Sequence, residues 1–238
     1  MLVSAAVCPS PPLLVPDVAA GAAPELDAAR TACAEALGVL AMSRPEVLLV
    51  VGPTRPGERP GPHAQGTPGS FEGFGVPVRV RLGAPEGPPP EGNLPAALAV
   101  GAWLLERARW SSAPVAGLAV DTGLAAGRCT ETGRDLAGRA RRVALLVMGD
   151  GSACRSRKAP GYLDERAAPF DAAAARALGT ADTAGLAVLD EALARELGAA
   201  GRAPWQVLAG AAEGARLSGR LLYEDAPYGV GYFVAAWS

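Results

Sequence analysis

The run Arg142-Val-Ala-Leu-Leu-Val-Met-Gly-Asp-Gly-Ser-Ala-Cys-Arg-Ser-Arg-Lys158 decides the fold. Val143 to Met148 are apolar without a break and stop at Gly149-Asp150-Gly151-Ser152. A strand covered on both faces reads this way, because neither set of alternate residues turns polar, and the Gly-Asp-Gly-Ser end has turn chemistry. Sheets built from such strands hold ligands just beyond the carboxyl ends of their strands. One wall of any active centre is therefore expected at this turn.

Working outward, the same pattern recurs. Leu2 to Cys8 reads as a first strand closed by Pro9-Ser10-Pro11-Pro12, and Glu46 to Val51 as a second ending in Gly52-Pro53-Thr54-Arg55. Val115 to Val120 is a further buried strand. Between them lie helical patterns: Glu25 to Leu40 behind Pro24, Leu94 to Trp110 behind a capping Asn93, and Ala126 to Ala140. Val76, Val78, Val80 and Leu82 alternate with Pro77, Arg79 and Arg81, as in a half-exposed edge strand, while residues 56–75 read as a long loop. Helices are expected from Pro169 to Leu178, from Thr183 to Leu197 and from Pro204 to Ala212, then strands over Leu217 to Tyr223 and Val230 to Trp237. Alternating strands and helices predict one α/β domain over residues 1–238, a three-layer sandwich around a mostly parallel or mixed sheet.

Composition narrows the function classes. A formal charge of -2 at pH 7 gives no electrostatic case for nucleic acid or an anionic membrane, and half of the residues being hydrophobic argues against disorder. The apolar N-terminus lacks a basic flank and is cut by Pro9, Pro11 and Pro12, so neither a secretory signal nor a membrane span is expected. Cys8, Cys33, Cys129 and Cys154 have wide, unrelated spacings, which suits reduced thiols in a cytoplasmic chain.

The loop Gly149 to Lys158 is the sharpest chemical signal. Asp150 and Ser152 supply an acceptor and a hydroxyl, and Arg155, Arg157 and Lys158 follow as a positive cluster that suits a carboxylate or phosphate. The plainer reading is a tight turn with a solvated basic flank. Arg55 follows another strand end, and Tyr228 and Tyr232 could border the same cavity. Cys8 and Cys154 both follow apolar strands and are expected to face one another across a crevice; either could serve as a nucleophile if a neighbouring guanidinium stabilised its thiolate. The P-loop, dinucleotide-binding and nucleophile-elbow patterns are absent. With His63 the sole histidine, a two-histidine iron site cannot form within one chain, and a metal could be held only by His63 and cysteines contributed by more than one chain.

Four segments, Ala5-Ala-Val-Cys-Pro-Ser-Pro-Pro-Leu-Leu-Val-Pro16, Leu48-Leu-Val-Val-Gly-Pro-Thr-Arg55, Val147-Met-Gly-Asp-Gly-Ser152 and Ala226-Pro-Tyr-Gly-Val-Gly-Tyr-Phe-Val-Ala235, together resemble the class III extradiol ring-cleavage dioxygenase superfamily. The likeness is to its B-type catalytic polypeptides, especially the actinobacterial branch, and extends to Memo-like proteins. Active relatives use Fe(II). The resemblance places their metal-binding histidines on Ser10 and Arg55, their acidic ligand near 201–203, and their acid-base histidine on Ala153. It therefore implies a degenerate metal site with no cofactor, and a surviving pocket in which Ser10, Arg55, Asp150, Ser152, Arg155 and Tyr228 meet a small anionic or aromatic ligand. Two other classes stay open: an enzyme of altered mechanism, thiol-dependent or with an unusual metal site, and a noncatalytic scaffold or partner protein, self-associating as a homo-oligomer through apolar surface near Trp103, Trp110 or the C-terminal strand.

Overall fold

A computed structural model describes residues 1–84, 87–88 and 90–238. Its strands in chain order are β1 (Leu2–Cys8), β2 (Val47–Pro53), β3 (Gly61–His63), β4 (Pro68–Ser70), β5 (Arg79–Arg81), β6 (Val115–Val120), β7 (Val143–Met148), β8 (Gly219–Asp225) and β9 (Tyr232–Trp237). The helices are α1 (Pro16–Ala19), α2 (Asp27–Met42), α3 (Ala96–Arg107), α4 (Ala126–Ala137), α5 (Ala167–Thr180), α6 (Thr183–Ala187), α7 (Glu191–Glu196) and α8 (Arg202–Ala211). Seven strands form one mixed sheet in the order β3-β6-β2-β7-β1-β9-β8. β6, β2, β7 and β1 are mutually parallel, and β3, β9 and β8 add antiparallel margins.

The expected three-layer α/β sandwich is the observed one. All six side chains of β7 are buried. Val143, Leu145 and Val147 pack toward α4 to α8, while Ala144, Leu146 and Met148 pack toward α2 and α3. Each Val, Leu or Met removed from water this way is worth about 1.5–3 kcal/mol, which is why an unbroken apolar run belongs at the sheet centre. On the α4 side, Gly133 and Gly210 let two helix backbones touch; a Cβ on Gly133 would lie 2.0 Å from the Val207 carbonyl oxygen.

Several local expectations change. The stretch 76–82 does not join the main sheet: only Arg79–Arg81 is extended, in a ribbon with β4. The edge beyond β6 is instead β3, from the stretch expected to be loop. Asn93 is exposed and does not cap α3; that helix begins at Ala96, whose N–H is taken by the Glu58 carboxylate at 2.9 Å. The expected helix Thr183 to Leu197 is broken into α6 and α7, because Asp182 and Asp190 each accept a backbone N–H of the turn that follows, from Gly185 and Leu193. β9 is no exposed surface: β8 covers its outer edge, and Trp237 is fully buried with its indole N–H donated to the Leu178 carbonyl at 2.6 Å.

The crossovers position the site. The chain leaves β1 and β2 toward α2 and α3 on one face, and leaves β6 and β7 toward α4 and α5 on the other. Neighbouring backbones that part in opposite directions leave a crevice at their carboxyl ends.

Candidate functional site

Along the carboxyl edge of the four parallel strands stand Asp121 after β6, Thr54 and Arg55 after β2, Asp150 after β7 and Ser10 after β1. Asp150 is held from both sides. The Ser10 N–H donates to its Oδ1 at 2.8 Å and the Ser10 hydroxyl to Oδ2 at 3.4 Å, while the Gly201 N–H donates to its main-chain oxygen at 2.8 Å. Gly149 permits this approach to α8, since a Cβ there would lie 2.5 Å from Gly201 Cα. Burial pushes the Asp150 carboxyl up to about 6, against the pull of the Ser10 hydrogen bonds and the Arg55 charge.

The rest of the loop is tied inward. Asp171 on α5 is wholly buried and accepts the Ser152 N–H at 2.8 Å, the Ser152 hydroxyl at 2.8 Å and the Arg155 guanidinium at 3.0 Å. Ser152 is itself fully buried. Ser152 is thus committed to an internal carboxylate, and Arg155 pairs with the same carboxylate through one guanidinium nitrogen.

The crevice between β2 and β6 holds about 410 Å³. Thr54, Arg55 and Pro56 form one wall, Asp121, Thr122 and Gly123 another, and Ala194, Arg195, Gly198, Ala199 and Ala200 the third. Arg55 has its guanidinium carbon 5.1 Å from the Phe74 ring centroid, and its main-chain N–H donates to the Glu58 carboxylate at 2.8 Å. Among the described residues neither Arg55, Arg195 nor Asp121 forms an ion pair. Behind the Thr122 turn lies Arg202, only 2% exposed, which donates to the Thr122 and Leu124 carbonyls and to Gln206 with no carboxylate partner among the described residues.

Larger hollows lie elsewhere, but their charges are mostly committed. In the groove of about 510 Å³ beside α5 to α7, Asp182 and Asp190 serve as helix caps and Arg166 pairs with Asp164 and Glu196. In the hollow of about 490 Å³ beside β4 and β5, Arg79 pairs with Glu72. Volume alone does not mark a site; convergent unpaired polar groups at a switch point do.

The two cysteines do not face each other. Cys8 packs with Cys33 on the α2 side of the sheet and Cys154 lies in the opposite core. Hydrogen bonding with Cys33 and burial push the Cys8 thiol well up, and burial raises Cys154, whose thiol points to the carbonyls of Gly161 and Leu197 at 3.5 Å. Raised thiols are poor nucleophiles near neutral pH. Tyr228 is half-buried away from the crevice lining, and burial together with the nearby Glu25 carboxylate raises its hydroxyl. His63 sits on the edge strand β3 opposite Gly117, its imidazole held below the usual range by burial.

Iron fits this donor set poorly. Where the resemblance places the metal ligands stand a hydroxyl already bonded to Asp150, a guanidinium and, near 201–203, no carboxylate, while the acid-base position is the Ala153 methyl group. Among the described residues no three His, Cys, Asp or Glu side chains converge on one point, and a mononuclear iron site needs such a set.

Sequence reasoning reached Arg55, Asp150 and Ser10 through their strand ends, and missed Asp121, Arg195 and Asp171. Asp121 directly follows Val115 to Val120 and could have been found by the same rule. Asp171 had a fainter signal, a lone carboxylate in the Ala-rich run Phe170-Asp-Ala-Ala-Ala-Ala175. Arg195 had none.

No family model matches the chain, and no curated protein matches it. A solved structure with the same fold is that of an uncharacterized protein, JW3007, from Escherichia coli K12, with a TM-score of 0.58 at 15% sequence identity over 99% of both chains. At that identity the likeness is one of fold, and the chain is an α/β sandwich of the same architecture.

Proposed function

We propose that this is an extradiol dioxygenase-like protein of the B-type catalytic class, whose metal centre is degenerate and whose strand-end crevice binds a small anionic or aromatic ligand without family-type ring cleavage. The observation that carries the binding reading is the pair of guanidinia, Arg55 and Arg195, that line a crevice of about 410 Å³ at the β2–β6 switch point and form no ion pair among the described residues. A guanidinium offers a forked donor to a carboxylate, and the walls at Pro56, Ala194, Ala199 and Ala200 accept an apolar body. The family part is supported by placement: Ser10, Arg55 and Gly201 gather about Asp150 by hydrogen bond or charge, although they lie far apart in sequence. The membrane plays no part in this reading, and no helix among the described residues is long and apolar enough to cross one.

The test is calorimetric titration with hydrocinnamate and benzoate. Saturable binding is expected, weakened about tenfold by Arg55→Ala and by Arg195→Ala, the loss of one charge-assisted hydrogen bond. Absence of binding, or binding indifferent to both substitutions, overturns the proposal.

A further inference from the structure

The crevice carries one more charge than an anion site needs. Asp121 lines it with Arg55 and Arg195, and among the described residues no nitrogen of either arginine comes within ion-pair distance of the Asp121 carboxylate. All three residues are exposed, and opposite charges in water gain little by closing on one another, so each stays solvated until a ligand displaces its water. Here each is held separately. The Asp121 Oδ1 accepts the Gly123 N–H at 2.7 Å, Arg55 lies against the Phe74 ring, and Arg195 comes from α7 on the far wall.

From this we infer that the ligand is a zwitterion of the α-amino acid type, its carboxylate taken by Arg55 and Arg195 and its ammonium by Asp121. This rests on the binding reading above and narrows it. Asp121 and Arg55 follow adjacent parallel strands, β6 and β2, whose backbones run about 4.8 Å apart. Adjacent strand ends thus bring a carboxylate and a guanidinium to one crevice, as a ligand bearing both charges requires. The apolar third wall, Ala194, Ala199 and Ala200, then faces the ligand's side chain. A plain carboxylic acid engages the two guanidinia and leaves Asp121 without a cation of its own, whereas the ammonium supplies one.

The test compares molecules that differ by one charged group. Phenylalanine is hydrocinnamate with an α-ammonium, and phenethylamine is phenylalanine without its carboxylate; leucine and isocaproate repeat the comparison on an aliphatic body. Each is titrated into the full chain and into Asp121→Asn, which keeps a carbonyl oxygen for Gly123 while removing the charge. In the wild type an amino acid is expected to bind about tenfold more tightly than its matched acid, and in Asp121→Asn that advantage disappears while acid binding holds or improves. Phenethylamine is expected to bind most weakly of the phenyl set. If the plain acids bind as well as or better than the amino acids in the wild type, the zwitterion is wrong and the carboxylate site stands. If neither acids nor amino acids bind, or Arg195→Ala leaves all of them unchanged, both readings fall. An amino-acid advantage that survives Asp121→Asn overturns the role of Asp121.

Discussion

Two polar regions neighbour each other on the carboxyl edge of the sheet and use charge in opposite ways. In the loop after β7, Asp150, Ser152 and Arg155 are engaged by Ser10 and Asp171, so the segment that looks most like an anion cradle in sequence is bound to internal partners. In the crevice between β2 and β6, Arg55, Arg195 and Asp121 share one lining and form no ion pair among the described residues. A charge that has found its partner inside the fold contributes to stability and specificity of packing. A charge that stays solvated is available to a ligand. The two regions should therefore respond differently to substitution: the loop through stability, the crevice through binding.

The largest expected effect is at Asp171. Asp171→Ala leaves the Ser152 N–H, the Ser152 hydroxyl and the Arg155 guanidinium without their common acceptor, in a region where Asp171 and Ser152 are fully buried. Removing one member of a buried pair costs about 3–5 kcal/mol, and because the Arg155 side chain is 31% exposed, water reclaims part of its charge and the low end applies, about 3 kcal/mol. Urea unfolding measures it. A loss below about 1 kcal/mol would mean that the loop charges are as solvent-accessible as those of the crevice, and the contrast would collapse.

Asp150 sharpens the comparison through pH. Its carboxyl is raised to about 6 by burial, so between about pH 4 and 6 the folded protein holds a proton that the unfolded chain has released. Stability from this group therefore falls as pH rises through that window. Asp150→Asn lacks the titration while keeping an acceptor for the Ser10 N–H. Relative to the wild type, the variant should gain on the order of 2 kcal/mol between about pH 4 and 7, most of it below about pH 6. Denaturation midpoints of the two proteins across that range supply the measurement. A flat difference would place Asp150 in open water, with the exposed charges.

What was legible in the sequence follows the same division. Buried parallel strands announce themselves because both faces must be apolar, and β1, β2, β6 and β7 fall within a residue or two of their expected bounds. β3 was illegible because Gly61-Pro-His63 is too short to show a period, and its extended form comes from pairing with β6. The break between α6 and α7 falls where Asp182 and Asp190 cap short helices, and that local hydrogen bonding overrides the helical apolar pattern. At the site, strand-end residues could be read because topology places every parallel strand's carboxyl end on one edge. Asp171 and Arg195 lie on helices, and which helix faces which loop is a property of packing across the whole sandwich. The expectation that Cys8 and Cys154 meet failed for a related reason: both follow strands, but their side chains enter opposite cores.

The smallest expected effect on stability tests the other half of the contrast. Arg195 is an exposed residue near the end of α7, and among the described residues its side chain has no hydrogen-bond or ion-pair partner to lose. Arg195→Ala should therefore move the unfolding free energy by no more than about 0.5 kcal/mol, the ordinary range for a surface change away from caps and buried networks. The same substitution is expected to weaken carboxylate binding about tenfold, so one variant read by both urea unfolding and calorimetry separates the two uses of charge. An Arg195→Ala protein that loses several kcal/mol of stability would show that this guanidinium is part of the fold's internal pairing after all. The crevice would then resemble the loop after β7, and the case for a ligand there would lose one of its two guanidinia.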